Sequence, residues 1–191
     1  MDIQLSWDLF VLVFFVIIVA YSLIIGTDNT LKVILGTYVS TLAADALGNL
    51  LGRSLSGSEA FAGILKFAAV GSEQEAIVFV KVLLFVAMVI LFAVRGAFEV
   101  DTVEDRSAPM RMALSILYAV MSAGLVISVI LVFVSGVSFV GGGSPETTGT
   151  ALWNLYNQSE LIRSILSNAY LWFSLPAIAF LIHSFYSTRK Q

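Results

Sequence analysis

A chain of 191 residues that is 59% hydrophobic, 12% charged and of mean hydropathy +0.95 carries about half the charge of an ordinary soluble domain. This composition predicts an all-α integral membrane protein. At roughly 20 residues per crossing, the length holds four to five transmembrane helices and no separate soluble domain. A net charge of −3, no cysteine and one histidine, His183, exclude a basic surface for nucleic acid, thiol chemistry and a multi-histidine metal site within one chain.

The first residues, MDIQLSWD, hold acid and no base. A cleavable signal begins with the opposite charge, so the first apolar segment is expected to remain as an anchor. Residues 8 to 26 are continuously apolar apart from Asp8 and Ser22, with Trp7 at the expected interface, and predict the first span. Gly26, Asp28 and Asn29 suit a tight reversal over Thr27 to Thr30 before the second span, residues 31 to 52.

That second span carries the most informative pattern in the chain. Gly36, Ser40, Ala44, Gly48 and Gly52 recur at four-residue spacing, which stacks them on one helix face as a groove for a second backbone. Such a ridge is read as a packing or self-association face.

Residues 53 to 75 are mixed in character and predict a short interfacial helix. The third span is expected at 76 to 98, with Lys81 and Arg95 near its two ends, and the fourth at 112 to 137, opened by Pro109. The fourth has small residues of its own, Ser115, Ala119, Ala123, Gly124 and Ser128, which could oppose the ridge. Glycines 141 to 143 open a flexible linker. Residues 151 to 169 gather Leu152, Leu155, Tyr156, Ile162, Ile165 and Leu166 on one side, predicting an amphipathic helix on the bilayer surface. Residues 170 to 186 are just long enough for a fifth span, which Pro176 would kink. A re-entrant or interfacial segment is the alternative.

With the N-terminus outside, Lys32, Arg95, Arg106, Arg111, Arg189 and Lys190 fall on the cytoplasmic side. Arg53, Lys66 and Arg163 fall outside, in keeping with the positive-inside rule. The C-terminus is then inside.

Asp45 and Lys81 are the candidate site. At about 1.5 Å per residue they lie roughly 10 and 8 Å below the outer ends of their helices. They therefore share a depth, and a buried ion pair is expected. The pair could be a proton or ion relay, a polar seam between subunits, or a packing pair; or Asp45 could be hydrogen-bonded near Asn49 with Lys81 snorkelling outward. The acidic stretch Glu99, Asp101, Glu104 and Asp105 matches no calcium-loop spacing. Neither a nucleophile-and-base set nor a phosphate loop is present, so no enzymatic activity and no cofactor is expected.

The layout resembles the CvpA, or colicin V production protein, family of bacterial inner-membrane proteins. The points of similarity are the first span and the turn at Gly26, the run LGTYVSTLAADALGNLL, and a third span. Asp105-Arg106 ahead of the fourth span and the polar segment with QSELI complete them. The resemblance implies a non-enzymatic factor of the cytoplasmic membrane, linked to secretion or envelope homeostasis. On this reading its partners are the lipid bilayer and a second copy or another membrane protein, met at the Gly36 to Gly52 ridge. The other reading is a small channel or transporter subunit with a polar path at Asp45 and Lys81.

Overall fold

A computed structural model describes residues 7–55, 57–59, 62–63, 66, 72–95, 108–135, 138–140 and 159–188. The described residues are all-helical, arranged as α1 (Trp7–Leu55), α2 (Glu73–Arg95), α3 (Ala108–Val134), α4 (Glu160–Ser167) and α5 (Ala169–Thr188). The acidic stretch at 99 to 105 and the glycine linker lie outside the described residues, as do ten of the 23 residues from 53 to 75 and the first half of the expected amphipathic helix.

The anticipated turn over Thr27 to Thr30 is helical instead, and the chain reverses at Gly26 alone, with φ 82° and ψ 171°. That combination is open only to glycine among the ordinary residues, and it lets a helix stop and restart without a loop. The reversal is visible in the contacts. Thr30 Oγ1 donates to the Ser22 carbonyl at 2.9 Å, although eight residues of straight helix would separate them by about 12 Å. Thr30 also bonds the Gly26 carbonyl, and Asn29 Nδ2 takes the Ile25 carbonyl, so acceptors freed by the break are supplied by side chains from the next turn.

α1 is therefore two limbs. Val11 on the first clusters with Ile127 of α3, and Asp45 on the second meets Ser138, just beyond the end of the same helix. The second limb and α2 run antiparallel: Gly36 faces Phe92, Gly48 faces Lys81 and Gly52 faces Ile77. The main core joins Leu31, Ile34 and Ala44 of the second limb to Phe85 of α2 and Tyr118, Leu125, Val129 and Phe133 of α3. Burial of such side chains from water or lipid is what unites the three helices, with dispersion contacts dominant if the surroundings are themselves apolar.

α4 begins after Ser159, whose backbone is extended, and its apolar face does not lie free. Ile162 is buried against Val11 and Ile127, with Ile165 and Leu166 packed beside them. Its start is fixed by Ser159, whose hydroxyl accepts from the Ile162 N–H and donates to the Asp8 carboxylate. Asn168 then turns the chain: its side chain bonds the Ser164 carbonyl and its own carbonyl receives the Leu171 N–H at 2.9 Å. α5 departs at 52° to α4. Three of the helices are long and apolar enough to cross a membrane, or four if α4 and the start of α5 count as one bent span.

Candidate functional site: a buried ion pair between two helices

Lys81 Nζ lies 2.6 Å from Asp45 Oδ1, with the lysine side chain 6% exposed and the aspartate 0%. The ridge explains how a lysine reaches this position. Gly48, one turn from Asp45, has no side chain, and the Lys81 stem occupies the space a Cβ would need. Where the sequence suggested outward snorkelling as one alternative, the notch instead lays the stem flat between the helices and turns the ammonium inward.

The second carboxylate oxygen is equally committed. Asp45 Oδ2 accepts from Ser138 Oγ at 2.8 Å and from the Val140 N–H at 2.7 Å. Asn49 Nδ2 donates to Ser138 Oγ at 3.0 Å, so Asn49 serves the carboxylate through a relay and not by direct contact. Phe139, between the two donors, packs edge-on against Phe133 and tilted against Phe173. A carboxylate with one cation and two neutral donors is close to saturated, which offsets the large cost of removing both charges from water.

The ridge residues Gly36, Ser40, Ala44, Gly48 and Gly52 do share a face, and that face is filled within the chain. α2 supplies Phe92, Lys81 and Ile77 against the three glycines, while Ser40 and Ala44 are fully buried. The expectation that this ridge meets a second copy, or the small residues of the fourth span, gives way to packing on α2. Gly124 of α3 instead receives the Trp172 ring of α5. At each of these glycines the space left by the missing Cβ is taken by one large side chain, so no gap remains between the helices.

Nothing in residue periodicity pointed to Ser138 or the Val140 N–H, because both sit in the short segment after α3, where no helical face constrains them. Further polarity lies inside the bundle. Thr37 and Thr41 bond back to Val33 and Thr37 carbonyls, whereas the buried hydroxyls of Ser22, Ser40, Ser122 and Ser128 have no partner among the described residues. Among the described residues no group of His, Asp or Glu could hold a metal ion. His183 lies on α5, its side chain outside the described ones.

No protein-family description, no curated protein and no solved structure matches this chain.

Proposed function

We propose that the chain is a non-enzymatic integral membrane protein, CvpA-like in its role, that binds partners in secretion or envelope homeostasis in a bacterial cytoplasmic membrane. The supporting observation is an inverted distribution of polarity. Ile24, Leu91 and Met112 are 83%, 61% and 68% exposed, while Asp45 and Lys81 are buried. A water-soluble bundle does the reverse, and hydrocarbon is the solvent in which this arrangement is favourable. The two limbs of α1, then α2, α3 and the bent α4 and α5, would make five passes, which puts the termini on opposite sides, and the Lys and Arg distribution favours the N-terminus outside and the C-terminus inside. Because Asp45 spends both oxygens on groups of its own chain, the ion pair acts here as a fastener and leaves the outward faces for a partner protein or another copy.

A second reading is a channel or transporter subunit. It is favoured by the buried pair itself and by the buried hydroxyls of Ser22, Ser40, Ser122 and Ser128, which have no partner among the described residues. Flux through liposomes containing the purified protein separates the two. Conduction that Asp45→Asn abolishes selects the transporter, and a silent bilayer with the protein folded, together with a defined membrane protein cross-linked to it in its native membrane, selects the partner-binding factor.

A further inference from the structure

Residues 138–140, just beyond the end of α3, touch two parts of the bundle at once. On the polar side, Ser138 Oγ and the Val140 N–H both end on Asp45 Oδ2, at 2.8 and 2.7 Å. On the apolar side, the ring of Phe139 stands edge-on to Phe133 of α3, centroids 5.8 Å apart, and tilted against Phe173 of α5, 5.5 Å apart. Phe139 and Val140 are themselves 37% and 57% exposed, so burial alone does not fix them. Two bonds to a single oxygen, one from each side of Phe139, hold the backbone that carries the ring. That oxygen is held in turn, because Lys81 engages the other one. Phe173 has one further tie to α1, the Tyr38 hydroxyl on its carbonyl at 2.5 Å, and its neighbour Trp172 occupies the space at Gly124. The start of α5 therefore rests on three supports, and one of them depends on Asp45.

We propose that the Asp45–Lys81 pair governs how the start of α5 seats on the bundle, with residues 138–140 as the connecting strap and Phe139 as its wedge. Asp45 is a positioning residue here: it acts on α5 through the ring that its two donors hold in place. Lys81 stands one step further back, fixing the carboxylate that fixes the strap. A change at the ion pair is then felt at Phe173 as well as between α1 and α2. Fastening two helices would not require this, and whatever neutralises the carboxylate is registered on a third.

The tryptophans are Trp7, Trp153 and Trp172, so Trp7→Phe with Trp153→Phe leaves Trp172, beside Phe173, as a single reporter. Its quenching by acrylamide is read in mild detergent. The chain has no cysteine, and Ala119→Cys, at a fully buried position of α3, labelled with N-ethylmaleimide, registers the bundle as a whole. Phe139→Ala removes two ring contacts and should raise quenching of Trp172 about twofold or more. Ser138→Ala takes one donor from Asp45, leaves the ring, and should give part of that rise; Ser138→Thr keeps the hydroxyl and should give none. Lys81→Met should raise quenching too, and Ser138→Ala carries the test should that variant fail to fold. Once Phe139 is alanine, Ser138→Ala should add nothing, as for two residues acting through one contact, and labelling at 119 should stay within about twofold for both single variants. Quenching that Phe139→Ala or Ser138→Ala leaves unchanged overturns the strap. So does a serine effect undiminished in the Phe139→Ala background, or a matching acceleration at the buried thiol, which marks general loosening.

Discussion

The two limbs of α1 are joined by one glycine and yet are used in opposite ways. The first, the more hydrophobic, turns Leu12, Val16, Ile17 and Ile24 outward and, among its described side chains, buries only Val11 and Ser22. The second turns Leu42 and Leu50 outward, and buries Thr37, Ser40, Thr41, Ala44 and Asp45. Hydrophobicity therefore does not decide which limb lies in the middle of the bundle. Closeness of approach does: a limb with Gly36, Gly48 and Gly52 can touch α2 along its length, and Thr37, Thr41 and Asp45 follow it inward with hydrogen-bond partners there. Bulk on the first limb keeps neighbours apart and leaves its side chains for the surroundings.

The contrast breaks most sharply at the ion pair. Lys81→Met strands a buried carboxylate and should cost about 3–5 kcal/mol, measured by denaturant titration in mixed micelles. An unaltered midpoint would mean that the pair contributes nothing to holding the second limb inside. Exchanging the charges, Asp45→Lys with Lys81→Asp, should recover only part of this. A lysine at 45 cannot accept from Ser138 and Val140, and one stranded donor costs about 1–3 kcal/mol.

Filling the notch is the next largest change. Gly48→Ala collides with the Lys81 stem and should destabilise by about 1–3 kcal/mol, as overpacking does. Gly52→Ala should be milder, since it meets the mobile tip of Ile77, 2.7 Å from the added carbon. A reversed ranking in the same titration would deny that the lysine stem is keyed to Gly48. Gly26→Ala meets no atom within 4 Å, so any loss of about 1–3 kcal/mol there is backbone strain alone. The smallest effect belongs to the first limb, where Val16→Ala should shift stability by no more than about 0.5 kcal/mol.

Part of this architecture could be read from residue order. Four-residue spacing marks the ridge because helix geometry fixes which positions share a face, and helix rise puts Asp45 level with Lys81, which lie 2.6 Å apart. The ridge's occupant was not legible. A row of missing side chains specifies that something approaches, but Phe92, Lys81 and Ile77 are spaced 11 and 4 residues apart on an otherwise uniformly apolar helix, and nothing local distinguishes them from their neighbours. Ser138 and Val140 were invisible for a related reason: they come to the site from a segment between helices, positioned only by tertiary contact. Pro176 led to the expectation of a kink, and α5 runs from Ala169 to Thr188 with the proline inside it. The bond from Tyr38 to the Phe173 carbonyl depends on the relative depth of two helices more than a hundred residues apart in sequence.

Gly26 also determines what that end of the molecule exposes. The chain changes direction through the torsions of one residue, and Asn29 and Thr30 bond back over it, so the first two limbs share no slack strand that a protease could grip or an epitope could be spliced into. Handles for topology mapping would have to be placed elsewhere, and an insertion at this corner would pry apart the pair it was meant to report on.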